Sequence, residues 1–379
     1  MIQILTAHTL EPDDAEFALE EILEQLDLEN NKKQYAAGFL YCHTDFAETG
    51  VAQSIAEALP FDVVGGTTVC NLTGGMRDIA GLTISVITSD TVEFTSAFSA
   101  DCHTEDDIAK VYAEASAGRS VAPSLIFPFV TSAIGDIVVS ALDKLTEGKT
   151  PLLGTNALDN TTNSSRAVAI YNGKTYKEGF AMLVAWGELK AKFFVSEISE
   201  DFIQKQRAVI TESEEHIIMS INDMRPADYL ESIGISREQA TGDLLSIPFI
   251  LDMCDGTKPV ARAFYGLTPE GYIVTGGTMK KNATVAIASL ESDDIIRLTN
   301  KTLDSVLSSG NSKGMMLFPC VSHFWTMEKS PLELIHDKMD NTIPYHVYYS
   351  GGEICPVFDS NDKMVNRFHS FTCVACSFE

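Results

Sequence analysis

At 379 residues, 45% of them hydrophobic and 21% charged, the chain can bury enough apolar surface to offset its conformational entropy, which excludes global disorder and favours two domains over one. Its 53 acidic against 27 basic residues leave a net charge of −26, a field that repels phosphate backbones and anionic membranes, so neither nucleic acid nor membrane is expected as a partner. The start, Met1-Ile2-Gln3-Ile4-Leu5-Thr6, lacks the basic and apolar regions of a signal peptide, and no apolar run reaches membrane-spanning length, so a cytoplasmic setting is expected.

Asp13 and Asp14 precede Phe17, Leu19, Ile22, Leu23 and Leu26, a surface helix behind an acidic first turn. Tyr35 to Cys42 reads as a buried strand, Val51 to Leu59 as a helix ended by Pro60, and Phe61 to Val64 as a strand closed by Gly65-Gly66. Leu82 to Thr88 and Val92 to Phe98 flank Ser89-Asp90 as a hairpin would. A second β-α-β unit runs from Ser124 to Val130 through a helix at Ile137 to Leu145 to Pro151-Leu152-Leu153-Gly154-Thr155, followed by a loop rich in Asn and Thr. Strands at Ala167 to Tyr171, Phe180 to Trp186 and Lys192 to Ile198 close the first half, with the boundary near Ser199 to Gln206.

The second half carries strands at Ala208 to Thr211, Ile217 to Ile221, Arg262 to Tyr265, Tyr272 to Thr275 and Thr284 to Ala288, a helix opened by Pro226 and a longer one from Asp293 to Leu307. A third unit follows: Met315 to Cys320, Leu332 to Met339, and Tyr345 to Tyr349 closed by Gly351-Gly352. The run Leu125-Ile126-Phe127-Pro128-Phe129-Val130-Thr131-Ser132 lines up with Met316-Leu317-Phe318-Pro319-Cys320-Val321-Ser322-His323, which reads as a diverged internal repeat; two unrelated buried strands would be the alternative. The expectation is a mixed α/β (α+β) fold of two pseudo-repeated halves, residues 1–203 and 204–379, with mixed sheets covered by helices.

Familiar catalytic patterns fail on context. Gly148-Lys149-Thr150 lacks the earlier glycine of a phosphate loop and follows a helix, and Gly310-Asn311-Ser312-Lys313-Gly314 has the letters of a nucleophile elbow with the element order reversed. The eight cysteines read as reduced core thiols; Cys373-Val374-Ala375-Cys376 has the spacing of a redox or zinc hook, but on a strand the two thiols would face opposite ways. The adjacent pairs Cys42-His43 and Cys102-His103 would diverge for the same reason, so neither a metal nor another cofactor is expected.

More informative are the glycine turns at the ends of core strands: Gly65-Gly66-Thr67-Thr68, Gly154-Thr155-Asn156 and Gly351-Gly352-Glu353. The carboxyl ends of strands in α/β sheets are where ligands sit, although tight turns needing positive φ account for glycines equally well. Glu353 could grip an amine, and Cys320 with His323 could form a thiolate–imidazole couple if the turn joins them.

The order of motifs resembles the FIST sensory family over nearly the whole chain. Val63-Val64-Gly65-Gly66-Thr67-Thr68 and Leu152-Leu153-Gly154-Thr155-Asn156-Ala157 are similar to two of its turns, and Arg225-Pro226-Ala227-Asp228-Tyr229 to the segment opening its C-terminal part. Leu317-Phe318-Pro319-Cys320 is similar to its strand ending in cysteine, although Ser322-His323-Phe324-Trp325 stands where the family tends to place a basic residue. The most specific match is Tyr349-Ser350-Gly351-Gly352-Glu353-Ile354, followed by a final strand with His369 and Thr372. The resemblance implies signal transduction through small ligands, amino acids among them, passed to a protein partner; an animal relative is joined to an F-box, for which this chain is expected to have no room.

The leading expectation is a sensor with its pocket between the halves, lined by Gly65, Gly66, Thr67, Thr68, Thr155, Asn156, Cys320, His323, Gly352 and Glu353, with no catalytic residue required. The alternatives are a cofactor-free enzyme with Cys320 as nucleophile and His323 as base, and an interaction scaffold.

Overall fold

The computed structural model describes residues 2–131, 134–161, 164–241, 247–253 and 255–379. Ser132 of the expected repeat and part of the loop rich in Asn and Thr lie outside them. One strand plan is built three times. The first unit holds β1 (Ile2–Thr9), β2 (Tyr35–Cys42), β3 (Val63–Thr67), β4 (Asn71–Thr73) and β5 (Leu82–Ser89). The second holds β6 (Glu93–Ser99), β7 (Leu125–Val130), β8 (Gly154–Asn156), β9 (Ala169–Tyr171), β10 (Lys174–Tyr176) and β11 (Phe180–Trp186). The third opens with β12 (Ala191–Val195) and is interrupted by an insertion of β13 (Ala208–Glu214), β14 (Ile217–Ile221), β15 (Phe249–Asp252), β16 (Val260–Arg262), β17 (Phe264–Leu267), β18 (Ile273–Thr275) and β19 (Thr284–Ile287). It resumes with β20 (Gly314–Pro319), β21 (Tyr345–Tyr348), β22 (Glu353–Phe358), β23 (Met364–His369) and β24 (Cys373–Phe378).

The three sheets are ordered β1-β5-β2-β3-β9-β10, β6-β11-β7-β8-β22-β23 and β12-β24-β20-β21-β4. In each, the central strand (β2, β7 or β20) is parallel to the strand reached by its helical crossover and antiparallel to its other neighbour. Short strands are exchanged in a cycle. β4 of the first unit completes the third sheet, β9 and β10 of the second complete the first, and β22 and β23 of the third complete the second. The repeat expected between β7 and β20 is therefore present, and it extends to a third copy around β2.

Side-chain alternation sets the layers. Phe39 and Tyr41 of β2, Phe127 and Phe129 of β7, and Met316 and Phe318 of β20 meet in one core, with ring centroids 4.8 Å apart for Phe39 and Phe127 and 6.3 Å for Tyr41 and Phe318. Each such side chain contributes about 1.5–3 kcal/mol by leaving water. The intervening residues Leu40, Ile126 and Leu317 face outward into three separate clusters under the covering helices. Cys373 and Cys376 fall on opposite faces of β24, as their spacing requires, and the seven described cysteines are free and buried.

Two expectations are corrected. The runs from Leu82 and Val92 do not form a hairpin: β5 pairs with β1 and β2, while β6 is the edge strand beside β11 in another sheet. Every residue of β5 is buried, so it needs cover on both sides, whereas β6 is half-buried and tolerates an edge. His369 and Thr372 do not share the final strand; His369 ends β23 in the second sheet and β24, just after Thr372, belongs to the third.

The expected boundary near Ser199 to Gln206 is where the chain leaves β12 for the insertion, but residues beyond it return, since β20, β21 and β24 share a sheet with β12 and β4. The insertion forms a fourth sheet, β16-β15-β19-β13-β14-β18-β17. One face packs on the helix Pro226–Ser232; the other meets the helix Ser292–Ser308 and Phe371. Among the described residues no helix is long and apolar enough to cross a membrane.

Candidate functional site

The three glycine-bearing segments occupy equivalent places, since Gly66 lies beside Tyr41, Thr155 beside Phe129 and Ser350 beside Cys320. Positive φ does not explain these glycines: Gly65, Gly66 and Gly154 lie within strands, and neither they nor Gly351 and Gly352 are in the left-handed region. Close packing does. A Cβ on Gly65 would stand 1.7 Å from the Leu40 carbonyl oxygen, and one on Gly154 2.1 Å from that of Pro128.

Thr67 and Thr68 tie the first sheet to the third. Tyr348 donates its hydroxyl to the Thr67 carbonyl at 2.8 Å, and Thr68 donates to that of Tyr349 at 2.6 Å. Thr155 and Ser350 share a hydroxyl bond of 2.5 Å, Gly352 N–H donates to Ser350 Oγ at 3.0 Å, and Asn156 N–H donates to the Gly352 carbonyl at 3.0 Å. Glu353 sits opposite Thr155, a place taken in the first sheet by Ala169 opposite Gly66. Thr155, Asn156, Ser350, Gly352 and Glu353 thus gather where the second and third units meet, while Gly65 and Gly66 stay in the first sheet.

Glu353 is fully buried. One carboxyl oxygen accepts a 2.8 Å hydrogen bond from Thr372 and the other has no partner, and burial, the leading cause, raises its pKa against the weaker pull of Thr372, Cys320 and Ser350. Burial, with Glu353 second, also raises the Cys320 thiol. His323 is buried with neither ring nitrogen bonded, its ring centroid 5.0 Å from that of Phe371 in a T-shaped contact, and burial pushes its pKa down to about 4. No hydrogen bond joins the Cys320 thiol to the His323 ring; the backbone N–H of His323 bonds the Cys320 carbonyl instead.

Beside this cluster the chain passes through Phe371 at φ 63°, a left-handed conformation costing an aromatic residue about 1–2 kcal/mol. The turn carrying it is clasped by the fourth sheet: Ser370 Oγ accepts from Ala263 N–H at 2.8 Å, and buried Arg262 donates to the Phe368 carbonyl at 2.6 Å, 3.6 Å from Asp136. Tyr265 is more than half exposed as a residue, while its hydroxyl lies beside Gly276 and Ser370.

A cavity of about 700 Å³ opens between the three-sheet body and the fourth sheet. Val195 and Ile203, Ile250 and Val260, and Pro356 and Val357 give it apolar walls, and Lys258 and Lys301 stand among its charged residues. His369 and Thr372 line it, and none of the ten residues expected at the pocket does. Thr372 connects the two places, lining the cavity while bonding Glu353 behind it. His369 is 1% exposed; its Nε2 lies 3.1 Å from the Cys355 carbonyl, its Nδ1 has no partner, and burial pushes its pKa down to about 3. The family resemblance set His369 and Thr372 in one strand, but a lysine on the exposed face of an amphipathic helix carries no spacing signal, so sequence reasoning did not bring Lys301 to them. Arg262, buried at the end of a short apolar run, was the detectable exception.

Among the described residues one group, Asp101, His103 and Glu178, brings three potential metal ligands within 4.8 Å, all exposed. Exposed acidic groups gather in this way without an ion.

The FIST N domain profile matches residues 36–224 and the FIST C domain profile residues 227–356. The chain belongs to the FIST family. FIST domains are sensory modules of signal transduction. In this FIST chain the N segment spans most of the first two units and runs into the insertion, and the C segment carries the rest of the insertion and the third crossover. Most of the cavity lining lies within the two matched segments, on both the three-sheet body and the fourth sheet, while Val357, Phe358, His369 and Thr372 lie beyond them. No curated protein matches this FIST chain.

Proposed function

We propose that this FIST chain is a cytoplasmic sensory protein that binds a small ligand, an amino acid or another small metabolite, in the cavity between the three-sheet body and the fourth sheet. The observation carrying this reading is a cavity of ligand size, about 700 Å³, with a buried and unpartnered histidine nitrogen in its wall. The expected residues act behind that wall: Thr372 passes occupancy to Glu353, and Glu353, Cys320, Thr155, Asn156 and Gly352 carry it to the junction of the second and third units. Gly65, Gly66, Thr67 and Thr68 hold the neighbouring sheet in register, and His323 sets the position of Phe371. A protein partner reads the change; the net charge of −26 speaks against nucleic acid or an anionic membrane in that role. The enzyme reading loses support from the raised thiol and the missing Cys320–His323 bond.

A thermal-shift screen of the purified protein against amino acids, small carboxylates and common metabolites tests the proposal, because a ligand that binds the native state alone must raise its melting temperature. A silent screen with folded protein would oppose it.

A further inference from the structure

The polar side chains around the cavity are mostly engaged with one another. Lys258 pairs with Glu197, Glu200 with Arg207 at 3.3 Å, and Ser196 Oγ accepts from the Cys373 N–H at 2.8 Å. Ser199 Oγ accepts from the Asp201 N–H, and the Thr372 hydroxyl is spent on Glu353. Two lining side chains are left over among the described residues. Lys301, on the exposed side of the helix Ser292–Ser308, has no acidic partner in a chain with nearly twice as many acidic as basic residues. His369, in the buried wall, leaves Nδ1 unpaired.

The chemistry of that nitrogen is fixed by its neighbour. The Cys355 carbonyl can only accept, so Nε2 carries the ring proton and Nδ1 presents a lone pair. Burial keeps the ring neutral near pH 7, which preserves this arrangement. A buried acceptor left without a donor costs roughly 1–3 kcal/mol, and a ligand N–H or O–H would recover it. Ile250, Val260, Pro356 and Val357 are among the apolar residues lining the same cavity.

Resting on the cavity as the ligand site, we infer that its ligand is a small carboxylate with an apolar body and an N–H or O–H donor at the end away from the carboxylate. The donor bonds His369 Nδ1 once a side-chain shift uncovers that buried atom, the body lies against Ile250, Val260 and Pro356, and the carboxylate faces Lys301. An amphipathic molecule lacking the distal donor would leave Nδ1 unpaired and bind more weakly; one lacking the carboxylate would lose Lys301.

Calorimetric titration with 4-hydroxyphenylacetate, phenylacetate and 4-methoxyphenylacetate tests this class on wild-type protein and on His369→Phe, Lys301→Ala and Val357→Trp. The hydroxyl probe is expected to bind wild type at least about tenfold more tightly than the other two. His369→Phe should erase that preference; Lys301→Ala, at an exposed position, should weaken all three probes several-fold and keep the preference. Equal binding of the three probes, no binding of any, or a preference that survives in a folded His369→Phe would overturn the class. Val357→Trp separates this from the parent reading, since it places an indole in the cavity from a half-buried position. Binding abolished by Val357→Trp without hydroxyl preference refutes the ligand class alone, whereas binding that survives it refutes the cavity as the site.

Discussion

Thr372 lines the cavity and its hydroxyl donates to Glu353 at 2.8 Å, so one residue links the cavity to a fully buried carboxylate. Glu353 has no cation bonded to it, and its second oxygen is unpartnered. Its protonation is therefore coupled to stability.

A carboxyl whose folded pKa is raised binds a proton that the unfolded chain has already released, so stability falls as pH rises from the ordinary carboxylate range toward the folded value. The difference between wild type and Glu353→Gln cancels other titrations. Urea unfolding at pH 5 and pH 8 should show wild type losing roughly 1–3 kcal/mol relative to Glu353→Gln over that interval. A difference independent of pH would mean Glu353 keeps an ordinary pKa.

Three buried histidines act with the opposite sign. Burial lowers His323 to about 4 and His346 and His369 to about 3, so the unfolded chain takes up protons below its own histidine range while the folded chain does not. Their stability contribution is complete above about pH 6.5 and is lost as pH falls, by about 1 kcal/mol per histidine between pH 6.5 and 5.5. His346 is held neutral between Ser85 Oγ at 2.7 Å and Thr83 Oγ1 at 2.8 Å and stacks on Tyr41. A His346→Phe variant, though less stable at pH 7, should show this acid slope reduced by about a third, measured as the urea midpoint against pH.

Gly65→Ala should cost more than about 3 kcal/mol or prevent folding, because its Cβ would collide with the Leu40 backbone. Gly50→Ala, at φ 89° with nothing within 4 Å, should cost only about 1 kcal/mol. Chemical denaturation of the two variants makes the comparison, and similar losses would contradict the close-packing account of Gly65.

Cys320 should resist thiol reagents at pH 7–8 in the native state, since burial and Glu353 both disfavour its thiolate. Mass-spectrometric mapping after brief alkylation measures this. Rapid labelling of Cys320 in folded protein would reopen the enzyme reading.

The β-α-β units were legible because each pairs a continuous apolar run, such as Leu125–Val130, with a helix of amphipathic period. The strand exchange was not, since β4, β8 and β9 are three residues long and owe their place to partners distant in sequence. Ser89-Asp90 looks the same whether the chain turns back or crosses to another sheet, which is why the hairpin expectation failed. Thr155, Gly352, Glu353 and Cys320, read from the ends of strands, come near one another in the structure but line no part of the cavity. The cavity escaped notice because β12, the insertion and the β23–β24 turn build it together, and no local spacing records that meeting.

The most direct measurement is calorimetric titration of the strongest ligand from the screen into wild type and into Val357→Trp of matched fold by circular dichroism. The account predicts saturable one-site binding to wild type that is lost in Val357→Trp. Undiminished binding to that variant would contradict it and place the ligand elsewhere on the chain.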